Sequence, residues 1–110
     1  MEPYYQDSHV IIYHGDCIDI LPKIEKVKVA ITDPPYNAGF NYGIHDDNMS
    51  KNAYQTWCIK WFSILREKAK RIIIFPGHGN LFLWGTISKP SAVGCWDKKG
   101  SVEGKSVLGF

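Results

Sequence analysis

At 110 residues the chain is one domain at most. Its 45% hydrophobic and 14% aromatic content is ordinary for a globular protein and fills a modest core, which excludes a disordered or low-complexity chain. A net charge of +2 neither demands nor excludes nucleic acid as a partner.

Residues 10–13 (Val-Ile-Ile-Tyr) read as a first strand. Gly15 turns the chain, and Asp16 can cap a short helix that runs through Leu21. Val27–Thr32 is short and rich in β-branched residues, so it reads as a buried strand. Residues 33–50 form a long loop rich in Gly, Asn and Asp, and a loop of that length inside a compact domain is functional or mobile. Asp46 and Asp47 within it read as solvated. Ser50 then caps a strong helix. Tyr54, Trp57, Cys58, Trp61, Phe62, Leu65 and Ala69 recur at three- and four-residue steps and make one apolar stripe, with Trp57 and Trp61 as core. The basic run at 66–71 closes this helix as its dipole favours. A third strand is expected at 71–75, and then a turn at 76–80 whose last residue, Asn80, caps a short helix over 81–87. Residues 93–97 read as a further strand, 98–100 as a turn, and the chain from Ser106 as entering another strand. Strands alternating with helices predict an α/β sheet that is at least partly parallel.

The chemistry is concentrated in Asp33-Pro34-Pro35-Tyr36, at the C-terminal end of the second strand. Ligands bind there in open α/β sheets. The prolines fix φ and donate no N–H, so the loop is stiff and its carbonyls are free to accept. The Asp33 carboxylate and the Pro34 carbonyl can hold an amino group, and the Tyr36 ring can lie against a flat heterocycle. Two acceptors on an exocyclic base nitrogen favour a pyramidal nitrogen with its lone pair directed outward, which is positioning and electrostatic preorganisation. A plain strand-ending turn is the alternative for these four residues. A PPxY peptide ligand needs a residue between the second proline and the tyrosine, and none is present.

Other motifs carry less. Cys17, Cys58 and Cys95 contain no C-x-x-C pair, so neither a disulfide framework nor a zinc site is indicated. His14 and Cys17 have a ligand-like offset that no second pair completes, and no metal is expected. Gly77-His78-Gly79 lacks the lysine and spacing of a phosphate loop; its glycines allow close backbone approach to a ligand. No signal peptide or transmembrane run is visible, so no membrane partner and a reducing cytoplasm are expected.

Taken together, His14-Gly15-Asp16-Cys17, Asp33-Pro34-Pro35-Tyr36-Asn37 and Phe40 resemble the start of the DNA amino-methyltransferases, in members whose catalytic loop precedes the cofactor motif. The resemblance implies methyl transfer from S-adenosylmethionine to adenine N6 or cytosine N4 in double-stranded DNA. It implies Asp33, Pro34, Pro35 and Tyr36 as catalytic, Asp16 and Cys17 as cofactor-binding, and Asn37 and Phe40 as substrate-binding. Asp at the first motif position is similar to the adenine-N6 enzymes. It also implies a partial Rossmann-like sheet, mostly parallel and incomplete. Residues 1–110 would form the N-terminal catalytic part, without the glycine-rich cofactor turn or the target-recognition region, and the C-terminal half of the enzyme would be a missing partner. RNA or a protein amide as acceptor, or an inactive remnant that only binds nucleic acid or a partner chain, are the alternatives.

Overall fold

A computed structural model describes residues 1–97, 99 and 105–110. β1 (Tyr5–Gln6) and β2 (Ile11–Ile12) form a small antiparallel hairpin. α1 (Cys17–Ile20) follows and tightens into a 3-10 turn at Leu21–Lys23, where Pro22 supplies no N–H. β3 (Val27–Thr32), α2 (Lys51–Lys68) and β4 (Ala69–Ile74) make a strand–helix–strand unit whose two strands pair in parallel, from Val27 opposite Ala69 to Thr32 opposite Ile74. A 3-10 turn at His78–Asn80 leads into α3 (Leu81–Ile87), and β5 (Ala92–Trp96) and β6 (Lys105–Gly109) close the chain.

α2 forms where the apolar stripe requires it. The Ser50 hydroxyl accepts from the Ala53 N–H at its first turn. Tyr54, Cys58, Trp61, Phe62 and Leu65 are buried along one side and meet Ile72 and Ile74 of β4, Leu83 and Trp84 of α3, and Leu108 of β6. Rings of Trp61, Phe62, Trp84 and Phe110 pack edge-on or tilted, with centroids 5.2–6.2 Å apart. At the other end Lys68 Nζ donates to the carbonyls of Pro22 at 2.8 Å and Ile24 at 2.7 Å. One cation of the basic run therefore ties α2 to the turn before β3.

Four expectations are corrected here. The first strand is two residues long and lies outside the main sheet, because β2 pairs only with β1. The main sheet runs β3-β4-β6-β5, so β3 is its edge. Residues Val27, Val29 and Ile31 alternate onto one face of the strand, all three are exposed and Ile31 is 68% exposed, so β3 is not buried. The sheet is α/β but mixed: β3 and β4 are parallel, whereas β4–β6 and β5–β6 are antiparallel. The physical reason is the short link between β5 and β6, since only an antiparallel pair can be joined without a long crossover. The helix and strand also meet earlier than the periodicity suggests, with Ala69 opening β4 rather than ending α2. Of the turn read at 98–100, Lys99 is in a turn, and Lys98 and Gly100 lie outside the described residues. Among the described residues no helix is long and apolar enough to cross a membrane.

Candidate active site

β3 ends at Thr32, and Asp33-Pro34-Pro35-Tyr36 leaves the sheet at the C-terminal ends of the two parallel strands. The Thr32 carbonyl accepts from the Phe75 N–H at 3.0 Å, so the strand exit is pinned to the exit of β4. Within the loop the Tyr36 hydroxyl donates to the Asp33 carboxylate. The Pro35 carbonyl accepts from the Tyr54 hydroxyl at 2.6 Å, across from α2. The Tyr36 carbonyl accepts from Asn80 Nδ2 at 2.9 Å, and the same nitrogen donates to the Pro76 carbonyl at 2.9 Å. The sequence predicts Asn80 as a helix cap, but its side chain makes no cap bond to α3 and joins two loops instead.

Gly77 completes the support. Its φ is +76°, and a Cβ there would stand 2.9 Å from Cγ and 3.1–3.2 Å from both Cδ atoms of Tyr36. Those near-equal distances place Gly77 over the ring face, so one face of Tyr36 is closed by backbone. Of the two glycines expected to allow close backbone approach, Gly77 makes one, to the Tyr36 ring, and Gly79 has nothing within 4 Å.

Cys17, Asp33, Pro34 and Pro35 line one cavity of about 470 Å³, together with Leu21, Ala30 and Trp57. Asp16, next to Cys17 in the chain, does not line that cavity; it caps α1, its Oδ1 accepting from the Ile18 N–H at 2.9 Å. Burial, and then the charge of Asp16, push the Cys17 thiol above its ordinary pKa, so it lines the cavity as a neutral group.

Asn37 and Phe40 are not part of that cavity. Asn37 adopts φ +60°, a conformation Asn tolerates well. Its side chain donates to the Met49 carbonyl at 2.8 Å and accepts from the Met49 N–H at 2.7 Å. Phe40 is 66% exposed, packs at a tilt against Tyr42 and lines a separate concavity with residues 43–48. The residue that the sequence left unrecognised is Asp47. It was read as solvated, yet it is 4% exposed and its carboxylate accepts from the backbone N–H groups of Asn37, Ala38 and Phe40 at 2.9–3.1 Å. Burial alone would raise its pKa; the Phe40, Asn37 and Ala38 N–H groups, aided by His45, outweigh that and hold it below the ordinary carboxylate value. Asn37 and Asp47 thus latch the loop after the Asp-Pro-Pro-Tyr segment at both ends. Spacing to Met49 and a buried acid ten residues on leave no short-range motif to read.

Residues 27–89, from β3 through α3, match the DNA methylase family of N6/N4 type. The chain is 36% identical over 64 residues to the type II methyltransferase M.ScaI of Streptomyces caespitosus, a stretch covering 56% of this chain and 20% of that relative. It is 32% identical over 72 residues to the type II methyltransferase M.HpaI of Haemophilus parainfluenzae, covering 64% and 21%. It is 29% identical over 52 residues to the type II methyltransferase M.MjaVI of Methanocaldococcus jannaschii, covering 47% and 27%. The chain therefore spans about a fifth to a quarter of the length of the relatives it matches.

Proposed function

The chain belongs to the DNA methylase family, and from that membership we propose that residues 1–110 form the N-terminal catalytic part of a DNA methyltransferase that uses S-adenosylmethionine and modifies adenine at N6. The observation that carries this proposal is that Asp33 and Pro34 line one cavity, on a loop held from the exit of β4, from α2 and by Asn80.

The base must leave the duplex stack to reach such a loop. Asp33 accepts one N–H of its amino group and the Pro34 carbonyl accepts the other. The nitrogen is drawn toward a pyramidal geometry, and its lone pair turns outward. The Tyr36 hydroxyl holds the Asp33 carboxylate in place while the carboxylate keeps acceptor capacity for the amino group. The Tyr36 ring is the surface against which the flipped base is held. As the nitrogen gains its new bond both of its N–H groups become acidic, and Asp33 is placed to accept the one proton that leaves. A type II restriction-modification setting is proposed from the named relatives.

S-adenosylmethionine, when bound, supplies an electrophilic methyl group. The residues present fit its adenosyl end. The cavity is of ligand size, since such pockets run to about 300–1,000 Å³, and it is walled by Leu21, Ala30, Pro34 and neutral Cys17. Asp16, which precedes Cys17, has acceptor capacity beyond its cap bond. The methionine end and the reading of the DNA site are assigned to a further region. Three free cysteines accord with a cytoplasmic location for the enzyme.

The test is to express the polypeptide carrying this segment in a host whose DNA lacks methylated bases, digest that DNA and measure its nucleosides by mass spectrometry. N6-methyladenine is expected. N4-methylcytosine alone would move the acceptor to cytosine, and neither base would overturn the activity.

A further inference from the structure

We infer that Tyr54 is a positioning residue, which selects the Pro34 carbonyl as the backbone acceptor by occupying its neighbour. The inference rests on the methyltransfer proposed above and deepens it. Of the carbonyls around the Asp-Pro-Pro-Tyr turn, Thr32 accepts from Phe75, Pro35 from Tyr54 and Tyr36 from Asn80. Pro34 is buried, and its carbonyl accepts no hydrogen bond among the described residues. A buried carbonyl without a donor is costly, so it is a natural place for a ligand N–H.

The loop cannot make that choice alone. Pro34 and Pro35 have no N–H, so no local turn bond fixes their peptide planes. Without a donor from α2, Pro35 would offer a second unsatisfied carbonyl one residue along. An amino group could then sit between Asp33 and either carbonyl, and only one of those placements aligns its lone pair. Tyr54 removes the ambiguity. It is 2% exposed, its ring stacks on Trp57 at 5.8 Å and 24°, and the helix fixes where its hydroxyl points. Burial pushes its phenol far above the ordinary value, so the hydroxyl remains a donor at every working pH.

The experiment is Tyr54→Phe in the polypeptide that methylates DNA, measured beside wild type and Asp33→Ala. Phe keeps the buried ring and loses only the donor. The single-turnover rate should fall by about 10- to 100-fold, the scale of a misplaced reacting group, with KM for DNA and cofactor little changed and the protein folded at the assay temperature. A wild-type rate in folded Tyr54→Phe, with Asp33→Ala inactive, overturns the positioning role alone. A fully active Asp33→Ala overturns the site reading itself. Should Tyr54→Phe not fold, carbonyl NMR of wild-type protein labelled in proline decides. A methylatable duplex should shift Pro34 and leave Pro35 in place; a shift centred on Pro35 overturns the inference.

Discussion

Gly77 and Tyr36 are matched to each other: the glycine backbone, at φ +76°, lies against the ring where any Cβ would stand 2.9 Å from Cγ. The post-β4 turn is therefore a wall of the candidate site, although it belongs to a different loop. Gly77→Ala adds both a strained φ and an overlap with the ring. Overpacking of this kind costs about 1–3 kcal/mol. Thermal unfolding should show that loss, and the rate should drop at temperatures where the variant is still folded, because Tyr36 must move. Full activity with normal stability would mean that the ring has room the structure does not show.

Tyr36 does two things, and substitutions separate them. Its ring packs against Gly77, and its hydroxyl donates to Asp33. Stacking of a base on an aromatic side chain is worth roughly 1–3 kcal/mol. Tyr36→Ala should lose that along with the hydroxyl, whereas Tyr36→Phe should keep the stacking and lose only the restraint on Asp33. The expected order of methylation rates is wild type, then Phe, then Ala. Phe equal to Ala would assign the whole effect to the hydroxyl.

Asp47 gives a stability effect with a defined pH dependence. Its folded pKa is lowered, so the stability it contributes is fully present above the ordinary carboxyl value and is lost as pH falls through the folded value. Asp47→Asn leaves some of the N–H groups of Asn37, Ala38 and Phe40 without an acceptor. An unmet buried donor costs about 1–3 kcal/mol. Denaturant unfolding should show that loss at pH 7 and a flatter decline below pH about 4 in the variant, since the ordinary Asp value is near 3.9. An unchanged acid limb would mean that the carboxylate is not the group holding the loop.

Several of these relationships were legible in the residues and several were not, for physical reasons. The α2 stripe was readable because five buried side chains recur at helical spacing, and β3 because its β-branched run is unbroken. Its place at the sheet edge was not, because Val27, Val29 and Ile31 are as apolar as a central strand would require. The Asp-Pro-Pro-Tyr segment announces its chemistry in four consecutive residues. The parts that hold it come from elsewhere: Tyr54 was readable only as core, and Asn80 only as a cap, since a side chain's partner depends on which loop folds next to it. Asp47 looked like a surface acid because nothing local marks the three N–H groups that close around it.

The central claim is that the Asp33 carboxylate accepts the amino group that is methylated. The direct measurement is single-turnover methyl transfer to DNA by Asp33→Ala, with cofactor binding measured on the same protein. The account predicts a loss on the order of 10²–10³ in rate, the usual scale for removing one preorganised partner, while cofactor affinity stays near wild type. A near-normal rate in that variant would contradict it.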